Sequence, residues 1–507
     1  MTFKKILTGA GFAALLGSAF LGTTSCQKDF IDLNDPTRIP TSETYQDSSS
    51  IATGVTAAYS SLQDIYGKAG SNIGLFVFSE VPSDNSQAVV EGQGLGEFDY
   101  FSITSANGRL QSQWTVTYRG IARCNIIISR APGVKLTTAL RNRYIAEMKF
   151  IRALEYFNAV QIWGDIPLVT TEISTVADAY TYGRKPVADV YAQIEKDLTE
   201  AAADLPNVYP TTTSVLANAN PGRATKGAAR ALLAKVYLTE KKYPEAQATL
   251  QSFLTDYDNA TNYRLLPNYA DIFAISNELN AEIIFAVRYS KGGFGTGSPF
   301  TNYFAPLAAQ AGGGQGFQYN SVRKDLVDAF TASGAADTRY NAELGGPVTV
   351  GGASVYYTKK YFDTPTTVSD ADNDWIVLRF ADVLLMYAEV LNELNRPAEA
   401  VPYVNRTRVR AGLTGLATTL DQATLRLAIE NERRLELNME GHRWFDLVRT
   451  GRAYDVMNAH FTKYNIRSNG GTAGAPIQLN PDKHQLLFPI PIQEIQTNPI
   501  ITQNPGY

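Results

Sequence analysis

The residues near the C-terminus that could do chemistry are carboxylates, an imidazole and arginines between positions 432 and 449. Glu432, Glu436, His442 and Arg443 are of the types that perform general acid–base catalysis. The same residue types also form buried ion pairs that fix how helices pack. We favour the structural interpretation, in which Glu432, Arg443 and Arg449 form an ion-pair cluster. The catalytic interpretation stays open as the alternative.

These residues lie on a predicted helix that begins at Asp421. Apolar residues recur along it at three- and four-residue steps, and Glu432 falls on the same helix face. A carboxylate that faces a core must be paired. Arg443 and Arg449 are close in sequence, so we expect them to supply the pairing. Gly441 ends this helix and a second apolar pattern follows it.

Other motifs for catalysis or metal binding are weak. The sequence contains no GxSxG, HExxH or Walker loop, and its three histidines lack the spacing of metal ligands. Asp370-Ala-Asp372-Asn-Asp374 begins like a calcium-binding loop. However, Trp375 replaces the required glycine and Ala381 replaces the final glutamate. We therefore predict a protein without a metal or cofactor.

Aromatic residues stand among glycines in two stretches, residues 70–109 and 290–320. Sugars have apolar CH faces that a flat ring can cover, and hydroxyls that polar side chains can bind. We therefore predict a ligand-binding face, although single rings could equally fill the core beneath the loops. The candidate ligand-binding residues are Phe76, Phe78, Asp84, Asn85, Phe98, Tyr100, Phe294, Phe300, Tyr303, Phe304, Phe317 and Tyr319.

Composition and charge describe a folded protein that does not bind nucleic acid. The chain has 507 residues, of which 44% are hydrophobic and 19% are charged. Its net charge is −4, and no basic stripe appears. Beyond the N-terminus, no apolar run is long enough to cross a bilayer.

The first 25 residues predict a signal peptide. Lys4 and Lys5 precede an apolar stretch, residues 6–22, that is short for a membrane span. The following Cys26 resembles the lipidated residue of a bacterial lipoprotein, with Thr23 where leucine is usual. Ordinary cleavage nearby is the alternative. A tether at about residues 26–44 would then join the lipid to the fold. Cys124 is predicted to be a buried thiol, and a disulfide to Cys26 stays open.

Helical pairs recur along the chain and predict the scaffold. Residues 226–255 predict two helices joined at 241–244, and residues 380–410 repeat that form. The Ala/Leu/Tyr pattern and the short turn are tetratricopeptide-like, and such pairs stack to bury their apolar faces. The predicted fold is mainly α, with tetratricopeptide-like helix pairs supporting a loop-rich, partly β ligand-binding face. We expect a single domain over residues 26–507.

Three segments carry motifs that occur together in a known family. E-R-R-x-E-L…E-G-x-R-x-x-D-L-x-R-x-G spans Glu432–Gly451, L-R-F-A-D-V-L-L-M-Y-A-E spans Leu378–Glu389, and P-I-P-I-Q-E-I-Q-T-N-P spans Pro489–Pro499. Together they resemble the SusD-like (RagB/SusD) proteins, which are outer-membrane nutrient-binding lipoproteins of Bacteroidetes-type bacteria. The resemblance covers nearly all of the mature chain.

The resemblance implies a non-catalytic surface lipoprotein that captures a glycan. It also implies a partner, a SusC-like TonB-dependent outer-membrane barrel that receives the ligand. Family members bind glycans through aromatic residues on variable loops, but those loops match no family motif, so our candidate residues rest on composition. Two alternatives remain, a protein-only solenoid adaptor and a glycoside hydrolase, which needs paired carboxylates. Candidates for such a pair are Glu80, Asp84, Glu91, Glu97 and Asp99.

Overall fold

The computed structural model describes residues 44–88, 92–209, 222–307, 310–311, 314–365, 367–468, 474–480 and 484–507. The signal peptide, Cys26 and Glu91 lie outside the described residues, so what we predict for them stays a prediction. Within the described ranges, every helix is too short or too polar to cross a bilayer.

Helices make up most of the regular structure, which confirms the mainly α prediction. They are α1 (Ser48–Tyr66), α2 (Phe76–Ser79), α3 (Gly96–Asp99), α4 (Gly108–Arg130), α5 (Thr138–Trp163), α6 (Val176–Ala179), α7 (Val187–Asp204), α8 (Lys226–Thr239), α9 (Tyr243–Tyr257), α10 (Phe300–Phe304), α11 (Lys324–Ser333), α12 (Thr338–Glu343), α13 (Phe380–Glu393), α14 (Pro397–Arg410), α15 (Gln422–Glu436), α16 (Arg443–Arg449), α17 (Ala453–Lys463) and α18 (Ile492–Thr497).

Strands are short and pair antiparallel in small sheets. They are β1 (Ser86–Gln87), β2 (Ile166–Pro167), β3 (Arg184–Lys185), β4 (Ile283–Val287), β5 (Gln310–Ala311), β6 (Gly314–Gln315), β7 (Ser321–Val322), β8 (Leu344–Val350), β9 (Ala353–Thr358) and β10 (Trp375–Arg379). One four-stranded sheet has the order β1-β7-β9-β8, and the other pairs are β10–β4, β2–β3 and β5–β6.

The two predicted helix pairs are present as α8–α9 and α13–α14. The short turns between them pass through Lys241 at φ 61° and Asn395 at φ 58°. Helix α13 packs against α9, α14 and α15, and every residue from Phe380 to Asn392 is buried. A helix that is buried on all sides lies in the centre of a helical layer, and its Asp382 and Glu389 are paired with cations. The tetratricopeptide-like geometry of these pairs stays a prediction.

Helix α15 begins where the sequence predicts. The Asp421 side chain accepts a hydrogen bond from the Thr424 amide at 2.8 Å, which caps the helix. The chain then turns at Gly441, whose φ is +84°. A Cβ atom at this position would lie 3.2 Å from both the Ser79 hydroxyl and the Trp375 ring. The backbone conformation and the close packing therefore both favour glycine.

A network of ion pairs, most of them fully buried, lies against α15, and we call it the buried charge network. Arg379 donates to Glu282 at 3.0 Å, Glu436 at 2.6 Å and Glu440 at 2.7 Å. The cations of the network are Arg339, Lys360, Arg379, Arg408 and Arg410, and its carboxyl groups are those of Glu282, Asp337, Glu343, Glu432, Glu436 and Glu440.

The partner that we predicted for Glu432 is wrong. Glu432 pairs with Arg339 of α12 at 2.8 Å and with Arg408 of α14 at 3.4 Å. Arg443 and Arg449 point elsewhere because the turn at Gly441 changes the direction of the chain before α16. Proximity in sequence therefore gave the wrong partner, although Glu432 is buried and paired as the helix pattern requires.

Arg449 binds both oxygens of Glu389 at 2.5 and 2.8 Å and also pairs with Asp446 at 2.8 Å. His442 is buried beside Lys235, with 2.8 Å between its Nδ1 and the lysine nitrogen. Burial first, and then Lys235, lowers the pKa of His442 to about 3. The ring is therefore neutral at physiological pH, as expected for a structural side chain at this helix junction.

Replacing Arg379 should destabilise the protein strongly. An R379A variant removes the main counter-charge of Glu440 and one of the three arginine partners of Glu436, and breaking buried pairs this way costs about 3–5 kcal/mol. The matched control is R396A, because Arg396 pairs with Glu399 at a site where the side chains are 38% and 57% exposed. That change should cost less than about 1 kcal/mol. Urea unfolding followed by circular dichroism measures both, and equal costs would contradict the assigned role.

Glu343 should make stability depend on pH. Burial raises its pKa to about 7 despite the opposing effect of Lys360. The folded protein therefore binds a proton more tightly than the unfolded chain, so this contribution is complete below about pH 4.5 and lost as pH rises towards 7. In E343Q, which keeps an acceptor for Asn438, the free energy of unfolding should fall less between pH 5 and 8 than in wild type. Identical slopes in urea titrations would contradict this.

Candidate ligand-binding face

Five of the predicted platform rings lie in the core. Their exposures are 0% for Phe76, 1% for Phe78, 0% for Phe98, 0% for Phe300 and 1% for Phe304. Their assignment to a ligand face is therefore corrected, since no ring surface is open to a ligand. The short helices α2, α3 and α10 place these residues inward, and neither glycine-rich stretch gave a clear helix signal for them.

These inward rings pack on other core aromatics, and the two contacts of Phe78 are edge-to-face. Phe78 lies 5.1 Å from Phe98 and 5.3 Å from Phe488 between ring centroids. Phe300 lies 4.8 Å from Trp375. Such geometry adds about 0.5–1.5 kcal/mol per pair beyond simple burial. These rings belong to the two glycine-rich stretches, residues 70–109 and 290–320, and pack inside the fold.

Asp84 and Asn85 are also structural in this arrangement. Arg443 grips Asp84 with two hydrogen bonds of 2.8 and 2.9 Å, and Arg434 pairs with the same carboxylate at 3.1 Å. Burial alone would raise the pKa of Asp84, but Arg434 and Arg443 outweigh it and hold the pKa below its usual range. Arg434 also donates to the Asn85 side chain at 2.7 Å. The ligand role predicted for this pair is corrected, and Arg443 gains a buried partner.

Three other predicted rings form a partly exposed group, which we call the ring platform: Tyr303, Phe317 and Tyr319. Phe317 and Tyr319 stack at 5.4 Å with 22° between their planes, and Tyr303 lies 5.2 Å from Tyr319. Phe317 and Tyr319 are half-buried and Tyr303 is 6% exposed. The structure therefore brings together rings that the sequence could only name individually.

Backbone hydrogen bonds fix the ring platform. The Phe317 amide donates to the Asn302 carbonyl at 2.7 Å, and the Tyr319 amide donates to the Tyr303 carbonyl at 2.7 Å. Gln318, between the two rings, has a φ of 56°, and the rings on either side of it stack on each other at 5.4 Å. The Asn302 side chain also accepts from the Ser369 amide at 2.8 Å. A side chain buried at the base therefore joins α10 to the neighbouring loop.

Arg109, which the sequence analysis did not single out, lies at the edge of the ring platform. Its guanidinium donates to the Gln93 carbonyl at 2.9 Å and to the Gln93 side chain at 2.7 Å. Burial is the main cause that raises the pKa of Tyr303 to about 12. Tyr319 raises this pKa further, and the positive charge of Arg109 lowers it. The two predicted loops, 70–109 and 290–320, meet at Phe76, whose ring lies 6.5 Å from that of Tyr303. The sequence signal that could have identified Arg109 is its position two residues after Asn107, which caps α4.

Two further predicted residues are accessible to different extents. Phe294 is 85% exposed, and Tyr100 is half-buried. Phe294 stands on a glycine-rich turn that is held from below, because Asp370 accepts from the Gly292 amide at 3.0 Å and from the Gly293 amide at 2.9 Å. The acidic segment that begins like a calcium loop thus supports this turn. No cluster of metal-ligating side chains occurs in the described part of the chain.

A second candidate is a charged cavity of about 180 Å³ between α9, α13, α15 and α16. Arginines line it, yet their charges are used inside the fold. Arg426 binds both oxygens of Glu393 at 2.6 and 2.8 Å, and Arg452 pairs with Glu430 at 3.2 Å. A ligand would have to break these pairs, so the ring platform is the stronger site.

Two family models and several known proteins are similar to this chain. The family model described as "SusD family" matches residues 344–507, and the model described as "Starch-binding associating with outer membrane" matches residues 29–238. SusD-like protein P25 of Formosa agariphila is 30% identical, over 95% of this chain and 97% of that protein. Starch-binding protein SusD of Bacteroides thetaiotaomicron is 25% identical, over 87% of this chain and 86% of that protein.

Solved structures give the same result for the fold. A laminarin-binding SusD-like protein is 28% identical and has a TM-score of 0.76, covering 91% of this chain and 100% of that chain. Surface glycan-binding protein A from Bacteroides fluxus has a TM-score of 0.75 at 22% identity, covering 91% of this chain and 99% of that chain. The second of these likenesses concerns the fold alone.

Proposed function

Since the chain belongs to the SusD family, we propose that it captures an oligosaccharide or polysaccharide at the cell surface without cleaving it. The observation that carries the proposal is the ring platform, in which Phe317 and Tyr319 stack at 5.4 Å and are only half-buried. Relatives named for starch and laminarin binding support a glycan as the ligand class.

The ring platform suits a sugar because it combines a flat apolar surface with hydrogen-bonding groups. The exposed parts of Phe317 and Tyr319 would cover the CH face of a sugar ring. Arg109 and Gln93 would bind hydroxyl groups at the edge of that face. Phe294, which is held out on a supported turn, would contact a further part of a long chain. The rings are already fixed, so binding would order few side chains.

We propose that the protein is anchored by a lipid on Cys26 and hands its ligand to a TonB-dependent outer-membrane barrel. The relatives and the outer-membrane family description support this location. The position three residues before Cys26 holds Thr23, where lipoprotein signals usually have leucine.

Loss of one platform ring should weaken glycan binding. In affinity electrophoresis through gels that contain starch or laminarin, Y319A and F317A should each lose about tenfold in affinity for the retained polysaccharide. That loss corresponds to about 1.4 kcal/mol, the magnitude expected for one stacked ring.

The matched control is Y403A, because Tyr403 is a half-buried ring of α14 that packs on Tyr387 at 4.7 Å. Its retention should equal that of wild type. If Y403A and Y319A change retention equally, the platform has no special role. If wild type is retained by no glycan in a broad panel yet co-purifies with a barrel, the adaptor alternative holds instead.

Incubation with the same polysaccharides should release no reducing sugar, because Glu80 and Asp99, two of the candidate carboxylates, are buried and already bonded within the fold. Glu80 is fully buried and accepts from the Gly441 and His442 amides at 2.7 and 3.1 Å, and burial raises its pKa to about 7. Asp99 is buried against Arg323. Neither group reaches a sugar. Turnover that disappears in E80Q or D99N, but persists in a D455N control at an 80% exposed carboxylate, would establish a hydrolase.

A further inference from the structure

Gln318, between the two stacked rings of the ring platform, has an unusual backbone conformation. Its φ is 56°, in the left-handed region that residues other than glycine, asparagine and aspartate rarely adopt. Gln318 is also fully buried, and its side-chain nitrogen has no hydrogen-bond partner among the residues that the structure describes. A strained backbone and an unpaired buried amide both cost stability, and such costs concentrate at functional sites.

Hydrogen bonds hold Gln318 in this conformation. Its amide donates to the Ala305 carbonyl at 3.0 Å, and its side-chain oxygen accepts from the Leu307 amide at 3.2 Å. Gly316 packs closely on the same segment, because a Cβ atom there would lie 2.4 Å from the carbonyl oxygens of Ala305 and Pro306. The main chain and the side chain therefore both tie this stretch to the segment that follows α10.

Three successive amides, those of residues 317–319, donate to α10 and the residue after it. The accepting carbonyls are those of Asn302 at 2.7 Å, Ala305 at 3.0 Å and Tyr303 at 2.7 Å. In a regular strand, successive amides point to opposite sides, so an extended chain could not make all three bonds to one element. The left-handed residue turns its own amide to the side of its neighbours, as in other runs of amides that point together.

These bonds fix the rings relative to α10 and to each other. Phe317 and Tyr319 flank the bend and stack at 5.4 Å, while Tyr303 lies 6.0 Å from Phe317 and 5.2 Å from Tyr319. A negative φ at position 318 would break at least one of the three amide bonds and move a ring with it. Because the bend is already present in the folded protein, ligand binding does not have to create it.

A second left-handed residue supports the same base. Ser369 has a φ of 59°, and its amide donates to the Asn302 side chain at 2.8 Å. The carbonyl of the same asparagine accepts from the Phe317 amide at 2.7 Å. Two strained residues other than glycine therefore meet at one buried asparagine next to the rings, as expected where backbone strain serves a site.

We propose that Gln318 is the positioning residue of the ring platform, because its left-handed backbone directs three amides onto α10 and so stacks Phe317 on Tyr319. This rests on the proposed function, since the ring platform is the glycan contact named there. Gln318 is buried and does not itself touch the ligand. The geometry of the rings is thus set by the backbone of a residue between them, which substitutions of the rings do not test.

Valine at position 318 tests this role, because a β-branched residue resists a positive φ. Q318V should lose at least tenfold in retention on starch or laminarin gels, and its crystal structure should show Phe317 and Tyr319 farther apart than 5.4 Å. Q318N should restore the stack and bring retention to within about threefold of wild type, because asparagine tolerates the left-handed conformation.

The matched control is N395V, because Asn395 has a φ of 58° in the turn between α13 and α14, away from the rings. It should lose stability in urea titrations as Q318V does, while retention and the ring stack stay as in wild type. If Q318V does not fold, Q318A takes its place, since alanine also disfavours a positive φ but crowds the backbone less.

Three results would overturn the positioning role. They are an unchanged ring stack in Q318V, equal losses of retention in Q318V and N395V, and a loss in Q318N as large as that in Q318V, which would assign the effect to the side chain. If wild type is retained by no glycan, the proposed function fails. The separation of the rings in Q318V still decides the role of Gln318 in that case, because it is measured without a ligand.

Discussion

Charged side chains removed from water are the constraint on which this structure depends. Arg379 and Arg339 sit inside the protein, where an unpaired charge would cost several kcal/mol. Each therefore reaches several carboxylates, which come from α12, α15 and the segments beside β4 and α16. The network contains more carboxyl groups than cations. Because the pKa of Glu343 is raised to about 7, its carboxyl group can hold a proton, which reduces the excess negative charge of the network.

The same region of the chain holds the base of the candidate site. The amides of Gly441 and His442 bind Glu80, while Arg443 and Arg434 bind Asp84. Strand β1 follows at once and pairs with β7, which comes directly after the ring platform. Arg323 adds to this link, since its amide donates to the Asn85 carbonyl at 2.9 Å. The C-terminal helices thus position both variable loops, and a rigid base is what a stacking surface requires.

Sequence could predict the elements whose signals are local. The cap at Asp421, the helical spacing of α15 and the turn at Gly441 are all present where the pattern indicates them. Partners across long separations could not be predicted. Nothing near Glu432 pointed to Arg339, because that pairing arises only when α12 packs on α15. The orientation of the rings could not be predicted for a similar reason. Phe304 and Tyr319 lie in the same glycine-rich stretch, yet Phe304 faces the core and Tyr319 is half-buried.

The bond between Arg443 and Asp84 has a consequence for the order of folding. Its ends are 359 residues apart, so the carboxylate near the first variable loop exists long before its guanidinium partner in a growing chain. Contacts of such separation carry a large loop-closure entropy and form late. Until α15 and α16 dock, the Asp84 carboxylate lacks both of its arginine partners, Arg434 and Arg443. The first glycine-rich stretch therefore settles only at the last stage of folding, and a chain truncated before α15 would leave it without these anchors.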